Sequence, residues 1–435
     1  DTMDLPKELP SRYDPSLYED ATYAAWRESG DFTPPAEETP GAETFTVMIP
    51  PPNVTGVLHM GHALDGTIQD IVVRTKRMQG YDTLWVPGTD HAGIATQAVV
   101  EKKLYSETGQ TREDLGREKF LEQVWAWKEE NGATILKQFQ ALGCSCDWSR
   151  THFTMDEGLS HAVRVAFVRL WEKGLVYRGA RMVNWDCALQ TAVSDDEIEN
   201  VPAKGKMWYI RYPLVGRDGH LTVATTRPET LLGDTGVAVH PEDERYKDLV
   251  GTTCRLPFVD REIPIVADDT VDRELGTGAV KVTPGHDHND YERGERHDLP
   301  ILNILEKDGT LNDEGGPFAG MSREKARKEI EAQLEELGLL ERVEDIKNSQ
   351  PISDRSKTVV EPLVSEQWFV KMEPLAKPAI GAVKDGTLKF RPERWSKVYL
   401  DWLENVRDWC ISRQLWWGHR IPVWYDEDGV PCASV

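Results

Sequence analysis

One short run of this 435-residue chain restricts its fold more than any other. Residues 44–49, Thr-Phe-Thr-Val-Met-Ile, read as a strand that leads into Pro50-Pro51-Pro52-Asn53-Val54-Thr55-Gly56. Prolines fix φ and remove backbone donors, so that turn cannot lie inside a helix or a strand. A helix then starts near Gly61: Ile68, Ile71, Val72, Thr75 and Met78 recur at helical spacing, and Gly80 ends it. A second strand over residues 83–86 stops at Pro87-Gly88. Strand, turn, helix, strand is one βαβ unit, the building block of a parallel nucleotide-binding sheet. The expected class is therefore α/β, with a Rossmann-like parallel sheet.

The rest of the chain hangs on this unit. Residues 1–42 are rich in Pro, Glu, Thr and Tyr and read as an extended arm with one short helix over 14–29. Long helices are expected over 113–142 and 157–172, each with a glycine past its end, Gly143 and Gly174. From about residue 193 to 316 the texture becomes short β-rich runs such as Met207-Trp208-Tyr209-Ile210, residues 221–226 and Ala279-Val280-Lys281-Val282. A helix follows, with Ser322 as N-cap, Ala326, Ile330, Leu334 and Leu337 on one face, and Gly338 as its stop. This reads as a β-rich domain inserted into the nucleotide-binding one. Beyond it come an amphipathic, tryptophan-rich helix over 398–409 and a returning strand over 421–425. The expected division is an arm (1–42), the first half of a Rossmann-like catalytic domain (43–193), the insertion (194–347), and a return segment opening the second half (348–435).

Composition narrows little. The net charge of −23 argues against a nucleic-acid partner only superficially, because polyanion binding needs basic patches and not a basic total. No apolar run approaches the ~20 residues of a membrane span, and the acidic, proline-bearing start does not resemble a signal peptide. The six cysteines form no CxxC pair and no zinc-finger spacing, so they read as reduced thiols of a cytoplasmic protein.

His59-Met60-Gly61-His62 is the first chemical constellation. Two histidines three apart at a helix start face one side, where free N–H groups and the positive dipole end favour phosphate. By itself the pair reads more simply as two surface histidines; its place after Pro50-Pro51-Pro52-Asn53 makes it specific. A zinc site would need a third ligand that is not nearby.

Residues Pro50 to His62 resemble the first ATP signature of class I aminoacyl-tRNA synthetases, in the wording of the valine-specific members. Two further stretches resemble other parts of those valine-specific members: Trp85-Val86-Pro87-Gly88-Thr89-Asp90-His91-Ala92-Gly93-Ile94-Ala95-Thr96-Gln97 and Arg407-Asp408-Trp409-Cys410-Ile411-Ser412-Arg413-Gln414-Leu415-Trp416-Trp417-Gly418-His419. The resemblance runs from about Tyr13 to the C-terminus. It implies ATP with Mg2+, valine and tRNA(Val) as substrates, a monomer, and no membrane. In such enzymes the carboxylate of valine attacks the α-phosphate and pyrophosphate leaves. The nucleophile is already ionised, so catalysis rests on positioning and charge stabilisation. His59 and His62 would hold the phosphates and Gly61 would leave room for the nucleotide. Asn53 and the backbone of Pro50 or Pro51 would orient the amino acid. Asp90, just past a strand's C-terminal end, would take its ammonium, and Trp417 would wall its side-chain pocket. The plain alternatives are a helix cap for Asp90 and ordinary core for Trp417.

A second set lies in the insertion. Thr225-Thr226-Arg227-Pro228-Glu229-Thr230 and the stretch from Gly276 to Asp290 gather hydroxyls, a lysine, an arginine and two aspartates after strands. Solvated loops are the bland reading. A metal site on His286, Asp287 and His288 is another, since alternation would put both histidines on one side. Both stretches resemble the editing domain of valine, isoleucine and leucine synthetases. An apolar pocket shaped for valine cannot strongly reject threonine, the known figure for valine enzymes being about 10². A second site that binds a side-chain hydroxyl can, because valine would leave its buried polar groups unpaired. The resemblance gives Asp287 the ammonium of the misattached residue, and Lys281, Thr230 and Asp290 its hydroxyl. Thr283 belongs to the same set, and Thr226 and Arg227 stand near the tRNA end or the wall. A positioned water would attack, helped by the terminal ribose.

Three positions depart from the pattern. Leu275 stands where many such enzymes carry an aromatic, Gly285 replaces a usual alanine, and the surroundings of Cys187 and Arg355 lack the cysteine partners of a structural zinc, so none is expected. The second, lysine-rich ATP signature is not found; Met321-Ser322-Arg323-Glu324-Lys325 is a decoy inside the insertion. The resemblance thus implies the N-terminal part of a longer enzyme, weak in activation and able to edit with reduced tRNA affinity. An isoleucine-type synthetase, a chain acting only as an aminoacyl-tRNA deacylase, and an RNA-binding module remain as alternatives.

Overall fold

The computed structural model describes residues 12–37 and 39–435, so the first part of the expected arm lies outside the described residues. The chain is mixed α/β with several sheets and forms two compact units, residues 1–168 with 415–435, and residues 169–414.

The first unit begins with α1 (Glu19–Ser29), closed by left-handed Gly30. Then come β1 (Thr44–Met48), α2 (Met60–Met78) and β2 (Asp82–Val86). β1 and β2 are parallel, Thr44 opposite Asp82 through Met48 opposite Val86, so α2 is a crossover helix. The short β3 (Gly88–Thr89) precedes α3 (Gly93–Thr108), a helix the sequence reading did not anticipate. The helix expected over 113–142 is two: α4 (Arg112–Leu115) and α5 (Arg117–Ala141). Gly116 between them has φ 84°, a conformation that only glycine adopts freely and no helix contains. β4 (His152–Phe153) pairs in parallel with β3, and α6 (Glu157–Glu172) has the bounds its spacing predicts.

One expectation is inverted. The apolar residues that gave α2 its helical period, Ile68, Ile71, Val72 and Met78, are exposed, and α2 buries only Gly66 and Val73. Its inward face is held by polar bonds instead. Arg77 donates to the Ser145 hydroxyl and carbonyl at 2.6 and 2.7 Å, Arg74 donates to the Gly143 carbonyl at 2.7 Å, and Asp70 accepts the Ser145 amide at 2.9 Å. The core of the unit is built by Ile49, Val54, Val73, Trp85, Val100, Phe120, Ile135, Phe139 and Trp417. Cys144 and Cys146 are buried in it, and burial pushes the Cys144 thiol up to about 12.

The second unit continues with β5 (Val176–Asp186), β6 (Thr191–Val193), β7 (Ile198–Pro213), β8 (His220–Thr225), β9 (Gly236–Val239), β10 (Thr253–Arg255), β11 (Glu262–Ala267) and β12 (Ala279–Val282). After them come α7 (His288–Arg296), α8 (Arg323–Glu336), β13 (Leu340–Ser353), β14 (Glu361–Val370), α9 (Glu373–Lys384), α10 (Arg394–Glu404) and β15 (Trp409–Cys410). β13, β7 and β8 form one sheet, β10, β11, β9 and β12 a second, and β15, β14, β5 and β6 a third. β7 and β13 pair antiparallel from Ile198 opposite Ser353 to Ile210 opposite Leu340, which closes the whole intervening stretch on itself.

Ser322 caps α8 by accepting the Lys325 amide, and Ala326, Ile330 and Leu334 are buried as predicted, although Leu337 is exposed. The tryptophan-rich helix is shorter than the expected 398–409. It ends at Glu404, and Trp409 is drawn into strand pairing with Val370. A hairpin of β16 (Val423–Tyr425) and β17 (Pro431–Ala433) belongs to the first unit. Among the described residues no helix is long and apolar enough to cross a membrane.

Candidate functional site

In the first unit the strand end and the helix start are tied by backbone bonds. Asp90 donates its amide to the Pro52 carbonyl at 2.8 Å and accepts the Val54 amide at 3.0 Å, which lays Asn53 beside it. One Asp90 oxygen accepts from the Ala92 amide at 3.2 Å and the Thr154 hydroxyl at 2.9 Å and lies 3.3 Å from the His91 ring. Burial works against its charge, but these hydrogen bonds outweigh burial and hold the carboxyl below its usual range. Asp90 therefore keeps a negative charge, and the plain reading of it as a helix cap does not hold: the N-cap of α3 is Ala92, with no side-chain cap, and Asp90 holds only the amide of Ala92 ahead of the helix. Trp417 is fully buried, donates its indole N–H to the His91 carbonyl at 2.8 Å, and packs edge-on against Trp125 at 4.9 Å. It is thus core, tied by its indole to the residue that follows Asp90. Pro50, Pro51 and Asn53 are exposed on the rim.

His59 is the N-cap of α2. Its Nδ1 accepts the Gly61 amide, and its own amide donates to His62 Nδ1, each at 3.1 Å. The rings are 3.9 Å apart, and a Cβ on Gly61 would press to 2.8 Å from the His59 ring. Burial, then the neighbouring His59, lowers the pKa of His62. With both Nδ1 atoms accepting, each neutral imidazole carries its proton on Nε2 and has that donor left for a ligand oxygen.

In the second unit a cleft of about 360 Å³ is lined by Thr226, Arg227, Thr230, Lys281, Thr283, Asp287 and Asp290. These are all seven residues singled out for editing, brought from two stretches of chain onto the ends of β8 and β12 and the start of α7. Asp287 caps α7: one oxygen accepts the Asn289 and Asp290 amides at 2.9 and 3.0 Å. Among the described residues its other oxygen has no hydrogen bond. Asp290 accepts the Thr283 amide at 3.0 Å and Arg293 at 2.9 Å; burial, then the Asp287 charge, pushes its carboxyl up to about 6. Leu275 sits exposed at the rim, a wall of smaller reach than an aromatic would give. A Cβ on Gly285 would overlap the Leu302 carbonyl oxygen, so glycine there lets the loop below Asp287 lie tight against the chain at 302.

A family model described as tRNA synthetases class I (I, L, M and V) matches residues 21–433. The chain belongs to this family. Similar proteins include the valine–tRNA ligases of Carboxydothermus hydrogenoformans, 58% identical over 97% of this chain and 48% of that protein, and of Geobacter sulfurreducens, 56% identical over 96% and 47%. That of Thermotoga maritima is 56% identical over 97% and 48%. The chain spans about half the length of the curated relatives it matches. Among solved structures, a ternary complex of an Agrobacterium radiobacter LeuRS with tRNA aligns at 17% identity and TM-score 0.45 over 97% of this chain and 52% of that one, too distant to add to the assignment.

For this class I synthetase chain the geometry also redirects several expectations. Lys281 does not reach freely into the cleft: its ammonium donates to Thr230 at 2.8 Å, to Asp234 at 3.0 Å, and to Thr283. Arg227 is anchored to the His286 carbonyl at 2.8 Å and to Glu361, so it braces the cleft more than it probes it. The metal alternative fails on direction. His286 is buried and accepts the Ile304 amide at 2.9 Å, Asp287 caps α7, and His288 turns to Asn184 at 3.1 Å. Among the described residues no three His, Cys, Asp or Glu side chains converge.

Sequence reasoning missed Asp234 and Tyr212. Asp234 is fully buried and accepts Lys281, the Thr283 hydroxyl at 2.6 Å and the Tyr212 hydroxyl at 2.7 Å. Burial pushes its carboxyl up, and Lys281 and the two hydroxyls pull it back. A signal was present: Asp234 is the one charged residue in the largely apolar run from Leu231 to Val239, where an unpartnered charge would be untenable.

Proposed function

We propose that this chain is part of a valine–tRNA ligase. The first unit holds part of a Rossmann-like site for ATP and valine, and the second is an inserted editing domain that hydrolyses threonine from tRNA(Val). The single observation that carries the editing half is the convergence of all seven residues in one cleft. The close similarity to valine–tRNA ligases supports the synthetic half.

In the first site, the Nε2 donors of His59 and His62 and the amides of the first turn of α2 suit the phosphates of ATP, with Mg2+ entering as the nucleotide's own counter-ion. Asp90, charged and set beside Asn53, pairs with the ammonium of valine. Trp417 closes the apolar pocket by shape and offers no acceptor for a hydroxyl, which is why threonine enters too. In the cleft, the unshared oxygen of Asp287 takes the ammonium of the attached residue. The Thr230, Thr283 and Asp290 oxygens take a side-chain hydroxyl. A valine methyl in that place would leave buried oxygens unpaired. No nucleophilic side chain is needed, because a water held at the ester carbon suffices once the residue is fixed.

The test is deacylation of Thr-tRNA(Val) beside Val-tRNA(Val). Selective loss of threonine, abolished by Asp287→Ala, is expected. Equal hydrolysis of both esters, or an Asp287→Ala variant as active as its parent, would remove the editing reading.

A further inference from the structure

The donors at the floor of the cleft can be counted. A lysine ammonium has three N–H groups, and those of Lys281 go to Thr230, Thr283 and Asp234. The hydroxyl proton of Thr283 goes to Asp234, and that of Thr230 goes to the Arg227 carbonyl at 2.9 Å. What Thr230 and Thr283 still offer is one lone pair each, and the Asp290 carboxylate beside them adds more. The floor therefore presents acceptors, and Asp234 is the group that makes it so. It lies behind the cleft, out of reach of a ligand, with Tyr212 fixing its second oxygen at 2.7 Å.

Resting on the editing reading above, we propose that Asp234 is the positioning residue that sets hydroxyl selectivity. It draws the donors of Lys281 and Thr283 inward, so that the cleft accepts a hydrogen bond from the hydroxyl of an attached threonine. Removing Asp234 frees the Thr283 proton and leaves Lys281 without its counter-ion. A donor then faces the ligand where an acceptor stood. A role in folding alone would weaken threonine and valine ligands alike, whereas a role in selectivity weakens threonine only.

The experiment measures binding to the 435-residue chain of three probes: adenosine carrying threonine, valine, or the threonine analogue with fluorine for its hydroxyl, each through a non-hydrolysable amide on the ribose. The unaltered chain should prefer the threonine probe, and the fluorine probe, which cannot donate, should bind no better than valine. Asp234→Ala, which removes both acceptor oxygens, should cut the threonine-over-valine preference by about tenfold, the effect of losing one well-placed hydrogen bond, with valine binding unchanged. A retained preference, an equal loss for both probes, or a fluorine probe that binds like threonine overturns the proposal. Should Asp234→Ala not fold, Tyr212→Phe releases one Asp234 oxygen and should lower the preference about threefold, a fraction of one hydrogen bond's worth; an unchanged ratio again overturns it. If the unaltered chain shows no preference for threonine, the editing reading itself is what fails.

Discussion

Glu361→Ala should cost the 169–414 unit about 3–5 kcal/mol, the usual effect of breaking a buried ion pair from one side. The Glu361 side chain is 7% exposed, and each of its oxygens faces a different guanidinium, Arg323 at 2.7 Å and Arg227. Removal would take the close carboxylate from both. Arg323, 14% exposed, would keep Glu324 at 3.9 Å and the Cys187 sulfur at 3.5 Å, and Arg227, 27% exposed, would keep Glu229 at 3.8 Å and the His286 carbonyl at 2.8 Å. Arg227 can turn partly to water, which favours the lower end of the range. A matched control lies on the same strand: Glu366 pairs with Arg178 at 2.8 Å, but the two are 57% and 45% exposed. That contact should be worth about 0–1 kcal/mol. For a unit of this size about 1 kcal/mol moves Tm by about 2–4 °C, so Glu361→Ala should lower it by about 6–20 °C, toward the lower end, and Glu366→Ala by less than about 4 °C. Urea titration should show the same order with an unchanged m-value. Arg227 also holds the His286 carbonyl beneath Asp287, so deacylation should fall with the first variant and not the second. Equal shifts for the two would refute the argument that burial decides the worth of these pairs.

Two further outcomes follow from the sites. The Asp290 carboxyl is raised to about 6 against an ordinary value of about 3.9, so its protonated form is favoured by the fold. Its contribution to stability is full below about pH 4 and is lost as pH rises through about 6. Asp290→Asn should flatten that part of a Tm–pH curve, and threonine-selective deacylation, which needs the carboxylate, should fall below about pH 6 in the parent chain. Trp417→Ala should destabilise the other unit by about 3–5 kcal/mol, since it empties a fully buried indole site and leaves the His91 carbonyl without its donor; thermal unfolding checks this.

Local chemistry was readable from the sequence, and long-range pairing was not. The turn at Pro50 to Gly56, the crossover helix and the capped helix after Ser322 are set by neighbours a few residues away, and they stand where the pattern put them. The α4–α5 break depended on one glycine that a periodicity window averages over. The inversion of α2 shows that period alone fixes a helix, not which side meets the core: Asp70, Arg74 and Arg77 carry the packing through hydrogen bonds that apolar counting cannot see. Trp409 left its predicted helix because Val370, far along the chain, offered a strand partner. The cleft residues were legible because their functional groups cluster in two short stretches of chain, beside the ends of β8 and β12. Asp234 was not, since its partners Tyr212 on β7 and Lys281 and Thr283 at the end of β12 are distant in sequence and only the fold brings them to it.

The outward face of α2 has a practical consequence. Leu64, Ile68, Ile71 and Val72 stand exposed along one helix, and β1 at its foot pairs on one side only among the described residues. Open strand edges recruit further strands, and apolar patches beside them bury themselves against whatever arrives. In a flask of this chain alone, the nearest such surface is another molecule. The face that tells least about chemistry is therefore the one that governs how concentrated a solution the chain will tolerate.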